Sequence, residues 1–330
     1  MVRFFAKNDI IAIIALFVYT AVIKLYVLFY PVYYTATPVD SYLGHLLSSV
    51  LDGRSILIYL LTVLLTFFQG VHINAIANDS KMYYTPSGYA GLFYVLLSSL
   101  SPDHMAISPA LIGMSLFLLA IESVFRVYKR ADVTTQIFNA ALLISLATVI
   151  YPPCMIMFLV LSVELFLLRS LKLKEQLQYL SGFLVIIWIM AVALYYFGVL
   201  TFDVLGQFSI GGSLGMFVVN TFHDSIILIS IGFLCLFVMI NYNGYFKKKE
   251  IEARKKIEFL FWIMMGSLVT LLIFQGIQPH FVIFLMLPLS ILLAITFHAV
   301  KQIGRVELLH VTMLILVLFL QYNQLIMVDI

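Results

Sequence analysis

Between Ile10 and Tyr30 the chain carries one charged side chain, Lys24, and apolar runs of the same kind recur ten more times before the end. They are Ile56 to Ile76, Ser87 to Leu100, Ala110 to Val127, Gln136 to Tyr151, Met155 to Leu171, Leu177 to Leu200, Ser225 to Tyr242, Phe259 to Phe274, Phe281 to Phe297 and Leu308 to Met327. A hydrocarbon layer about 30 Å thick takes about 20 apolar residues per helical crossing, and in lipid the backbone must satisfy its own polar groups. Repeated runs of that length therefore predict an all-α, polytopic transmembrane bundle of about eleven helices. The composition agrees: 63% of the 330 residues are hydrophobic and 11% charged, against about half and a quarter in soluble domains. A large soluble domain is excluded.

The basic residues orient the bundle. Arg3 and Lys7; Lys81; Arg126, Lys129 and Arg130; Arg169, Lys172 and Lys174; Lys247 to Lys249 and Arg254 to Lys256; and Lys301 with Arg305 lie on alternate connections. The positive-inside rule assigns those connections to the cytoplasm, with the amino terminus inside and the carboxy terminus outside. All but two of the 19 basic residues obey this pattern; the exceptions are Lys24 and Arg54. The first run exceeds a signal-peptide core in length and reads as an uncleaved anchor. A net charge of +3 without nucleic-acid motifs excludes nucleic acid as a partner. Cys154 and Cys235, the two cysteines, supply neither a disulfide framework nor a cysteine metal site.

Several segments depart from plain crossings. In Ser41 to Asp52, Leu43, Leu46, Leu47 and Val50 form one helical face opposite Ser41, His45, Ser48 and Asp52, the pattern of an amphipathic helix on the outer leaflet. The run Ser87 to Leu100 is 14 residues long, about 21 Å, too short for the hydrocarbon layer, and has to be sheltered by protein or sit at a thinned place. Residues 201 to 224 form an external glycine-rich loop with Gly206, Gly211, Gly212 and Gly215. Lys247 to Lys256, KKKEIEARKK, reads as a helix extension or surface arm attracted to anionic head groups. Within the runs, Glu122 and Arg126 have ion-pair spacing, and Gln69, His72 and Asn74 suit interhelical hydrogen bonds. Lys24 is expected either to snorkel outward or to pair with an acid such as Asp40. No repeat, phosphate loop, dinucleotide fingerprint or zinc motif is visible in the chain.

The order of features resembles the C-type glycosyltransferases that use polyprenyl-phosphate-linked sugars. Asp40-Ser41-Tyr42 followed by LGHLLSSVLDGR is similar to that superfamily's first external loop. AGLFYVLLSSLSP up to Asp103 is similar to its next helix and second acidic loop, and Gln278-Pro279-His280-Phe281 leading into FLMLPLS to a late external helix start. The likeness covers residues 1 to 200, a core like that superfamily's, and 275 to 295; residues 225 to 330 supply the carboxy-terminal helices. Ser41 stands where a second acid is usual, and His280 where an Arg is usual. The overall text is closer still to an uncharacterised family of Bacteroidota multi-pass inner-membrane proteins.

The resemblance implies transfer of a sugar or related group from a polyprenyl-phosphate carrier to an acceptor at the outer face of the inner membrane. Asp40 would be the general base and Asp103 a supporting base or metal ligand. Arg54 would clamp the phosphate, with His45, His104 and His280 contacting phosphate or acceptor. A divalent metal is compatible with this chemistry and is not required by the sequence. The alternative is a non-catalytic scaffold or partner subunit of an envelope-assembly, lipid-handling or secretion complex. It shares the same topology and binds membrane lipid and protein partners.

Overall fold

The computed structural model describes residues 2–29, 55–101, 104–128, 132–168, 172–198, 222–247, 249–273, 282–299 and 303–328. A short 3-10 turn, Val2–Phe5, precedes α1 (Ile10–Lys24) and its continuation α2 (Tyr26–Phe29). Then follow α3 (Ser55–Asp79), α4 (Tyr89–Ser98), α5 (Pro109–Phe125), α6 (Thr134–Ile150), α7 (Cys154–Leu168), α8 (Leu173–Tyr196), α9 (Phe222–Ile240), α10 (Tyr242–Tyr245), α11 (Ile251–Ile273), α12 (Ile283–Ala299) and α13 (Ile303–Val328). Each of the eleven apolar runs contains a helix, and no strand occurs among the described residues. Three of the described helical stretches, Ile10–Phe29, Ser55–Asp79 and Leu173–Tyr196, are long and apolar enough to cross a membrane. The exposed faces are apolar too: Ile10, Phe68, Trp188, Ile229 and Phe233 are all more than half exposed. Lipid, rather than water, suits such faces.

Helix ends follow local chemistry. Ser108 caps α5, its hydroxyl accepting from the Leu111 N–H, and Pro109 occupies the first helical position, where no backbone donor is needed. The Glu175 carboxylate reaches back to accept from the Lys172 N–H at 2.9 Å and closes the start of α8. Pro152 and Pro153 separate α6 from α7.

Packing centres on α4 and α12. All ten residues of α4 are buried, and so is α12 from Ile283 to Ile295, with Pro288 inside it. At ten residues, α4 is about 15 Å long, shorter even than the sequence predicts, and α3, α12 and the amino-terminal turn shelter it. The close approach to α3 uses glycine on both helices. A Cβ on Gly91 would lie 2.6 Å from the Gly70 carbonyl oxygen and 2.4 Å from Asn74 Nδ2. Small residues let backbones approach where no hydrophobic force drives helices together. Gly182 does the same for α8 on α6, where the Ser145 hydroxyl also donates to the Phe183 carbonyl at 2.7 Å.

The polar set of α3 ties these helices together. Gln69 donates to the Leu111 carbonyl and the Ser115 hydroxyl, each at 2.7 Å, and accepts from Tyr94 at 2.7 Å. Asn74 accepts from the Gly91 N–H at 2.7 Å, and Asn78 both donates to and accepts from Ser87, each at 3.0 Å. The interhelical hydrogen bonds expected of Gln69, His72 and Asn74 are all formed, His72 meeting Glu122 of α5.

The described parts of the cation-bearing connections gather at one end of the bundle. Gly88 donates to the Phe5 carbonyl at 2.9 Å. Lys249 donates to the Met82 carbonyl at 2.7 Å while its ammonium lies 3.9 Å from the centre of the Tyr84 ring, and Lys255 donates to the Leu167 carbonyl at 3.2 Å. Burial holds the Lys249 amine below its ordinary pKa. Of the helix extension or surface arm expected over Lys247 to Lys256, Ile251 to Lys256 form the start of α11, and Lys249 docks on the connection between α3 and α4.

Candidate functional site

At the opposite end, α1 runs antiparallel to α3, pinned where Tyr59 donates to the Ala21 carbonyl at 3.0 Å. The last residue of α1, Lys24, is fully buried. Its ammonium donates to the His104 carbonyl at 2.8 Å and approaches the Met105 sulfur at 3.7 Å. Gln321 of α13 reaches the same sulfur at 3.4 Å, and Tyr26 meets Tyr322 edge to face at 5.6 Å. Tyr26, Val27, Ile58, Met105 and Ala106 form a small apolar cluster beside it. Among the described residues no carboxylate lies within ion-pairing distance of Lys24. Of the two expectations for Lys24, outward snorkelling does not occur, and pairing with Asp40 falls on a residue outside the described ones. One carbonyl and one thioether, the latter a weak acceptor, replace the water of the Lys24 ammonium.

Of the six residues singled out by sequence, His104 is described and Asp40, His45, Arg54, Asp103 and His280 lie outside the described residues. The proposed helix Ser41 to Asp52 lies outside them as well, as do residues 199 to 221, most of the glycine-rich loop. His104 is fully buried, and it is its backbone carbonyl, rather than its ring, that meets Lys24. Sequence reading flagged Lys24 as anomalous, but not as a neighbour of His104; the pairing joins residues 80 positions apart. Among the described residues no group of three His, Cys, Asp or Glu side chains is placed to hold a metal ion.

One concave feature lies where the described cations gather. A cleft of about 300 Å³ opens between the end of α3, the end of α5 and the start of α11. His72, Asp79, Glu122, Arg126, Glu252 and Lys256 are its polar lining, over Ala75, Ile76 and Phe125. Glu122 is held from both sides, by His72 Nε2 at 2.8 Å on one oxygen and by Arg126 on the other. The second bond is the helical pair that the spacing predicts. Lys256 pairs with Glu252 at 2.7 Å and lies 5.4 Å from the centre of the Phe125 ring. The Glu252 and Lys256 spacing is legible in sequence by the same rule; its proximity to α3 and α5 is not.

An all-helical chain with lipid-suited faces and buried interhelical polar bonds belongs to the class of helical membrane proteins. Residues 41–328 match the model of a family described as a family of unknown function, DUF6427, and the chain belongs to that family. No curated protein and no solved structure matches it.

Proposed function

We propose that the chain is a multi-pass protein of the bacterial inner membrane, with about eleven crossings, and that it acts at its outer face on a phosphate-bearing lipid. The reaction is transfer of a sugar or related group from a polyprenyl-phosphate carrier to an acceptor. The buried ammonium of Lys24 carries this reading. A lysine taken wholly out of water, with no carboxylate beside it among the described residues, is costly, and such residues inside a membrane mark sites more often than packing. Its place at the end of the first helix, against the residue that follows Asp103, suits a cation that meets a phosphate as donor lipid enters. Asp40 as general base, with Asp103, Arg54, His45, His104 and His280 around the donor and acceptor, completes the proposal from the resemblance. A divalent metal is an optional part of it.

The test is a complementation or glycan-profile assay at matched membrane abundance. Lys24→Met removes the charge and keeps the length. For a lysine with no ligand, that exchange is neutral or stabilising. The expected result is a variant that melts no lower than the parent but loses donor-dependent transfer. Asp40→Asn is expected to lower turnover by roughly 10²–10⁴-fold, the range for general-base help. Full activity in both variants overturns the transferase reading and leaves the scaffold reading in its place.

A further inference from the structure

The inner-end cleft carries an inference independent of the transferase reading, because it lies at the other end of the bundle from Lys24. Its charges are not fully used. Glu122 spends both oxygens, on His72 and Arg126, and Glu252 spends one on Lys256. Three groups have capacity left, the second oxygen of Glu252 being one. Asp79 is exposed and makes no hydrogen bond or ion pair among the described residues. Arg126, exposed over 59% of its side chain, commits one nitrogen to Glu122 and keeps its remaining N–H donors. A simple anion placed here meets Asp79, Glu122 and Glu252, and a simple cation meets Arg126 and Lys256. A ligand carrying both a phosphate and an ammonium satisfies Arg126 and the two carboxylates together.

The surroundings decide whether such a ligand is soluble or a lipid. On α3, Leu57, Leu61, Leu64 and Phe68 are exposed, and their steps of three and four residues continue through His72 and Ala75 to Asp79. Residues at those spacings share one helix face. On α5, exposed Leu119 likewise precedes Glu122 and Arg126. The apolar stripe on α3, and exposed Leu119 one turn before Glu122 on α5, thus lead to the cleft, the outline of an acyl chain below its head group. We infer that this cleft binds a phospholipid whose head group joins a phosphodiester to a primary ammonium. In this arrangement the phosphate lies on Arg126, the ammonium on Asp79 and the free oxygen of Glu252, and an acyl chain along Phe68 and Leu64, the part of the stripe nearest the cleft.

The purified full chain in detergent is titrated with phosphatidylethanolamine, phosphatidylcholine and phosphatidylglycerol, and separately with soluble O-phosphoethanolamine, and bound molecules are counted by native mass spectrometry. Phosphatidylethanolamine is expected to bind about tenfold or more tightly than phosphatidylcholine, whose quaternary ammonium has no N–H to donate to a carboxylate. Asp79→Asn is expected to erase that preference while leaving phosphatidylcholine unchanged, and Arg126→Gln to weaken all three lipids. Glu252→Gln, on a different helix, repeats the Asp79 comparison if the first variant fails to accumulate. Equal binding of phosphatidylethanolamine and phosphatidylcholine by the parent overturns the proposal. So do stronger binding of phosphatidylglycerol, an unchanged preference in the carboxylate variant, and binding of the soluble compound without the lipid.

Discussion

Gln69 shows how much one polar side chain holds in a bundle where lipid and core are equally apolar. It makes three hydrogen bonds to two neighbouring helices. Interhelical hydrogen bonds in membranes average about 0.6 kcal/mol each, so Gln69→Leu, similar in volume, is expected to cost about 2 kcal/mol in an equilibrium unfolding measurement. Gly91 tests packing instead of polarity. A methyl there meets the Gly70 carbonyl, whereas a methyl on Gly232 meets nothing within 4 Å. Overpacking costs about 1–3 kcal/mol, so Gly91→Ala should lower the melting temperature in detergent and Gly232→Ala should leave it within error.

At the scale of elements, the connection between α3 and α4 is held from three directions: by Asn78, by the amino-terminal turn and by Lys249. Lys249 lies outside the crossings, half-buried, with its amine pKa lowered by that burial. A lowered folded value means that the unfolded chain binds the proton more tightly in the window between the two values. Stability therefore rises with pH through that window, up to the ordinary lysine value near 10.4. Lys249→Met removes this dependence along with the bond to Met82 and the contact with Tyr84. The stability of the parent relative to the variant is expected to grow as pH climbs through the alkaline range. A difference that stays flat or shrinks, followed by thermal unfolding across that range, contradicts the burial argument.

For the whole molecule, sidedness is the property that all function hangs on. The connections from Phe5, Met82, Leu167 and Lys249 meet at one end, and Lys24, His104 and Gln321 meet at the other. Since the first end carries the described cations, the positive-inside rule predicts that it is cytoplasmic. A phosphatase reporter fused after Ile330 is then expected to be active outside, and one fused before Met1 to be silent. The reverse result inverts the assignment of both the Lys24 end and the charged cleft.

Apolar run length determined by itself that the chain is helical and where its helices lie, because in lipid the backbone has no other way to pair its polar groups. Charge placement foretold which connections share an end, and i, i+4 spacing foretold the pair of Glu122 and Arg126. Other features needed the tertiary structure. The burial of Lys24 depends on α13 and residues 104–105 closing over it. The cleft depends on α11 arriving beside α3 and α5. The complete shelter of α4 depends on α12, almost 200 positions away. Helix formation is a local property of the chain, whereas burial and convergence depend on which helices become neighbours. In a bundle whose helices are apolar on nearly every face, that choice is made by small-residue contacts and scattered polar bonds, which carry little periodic signal.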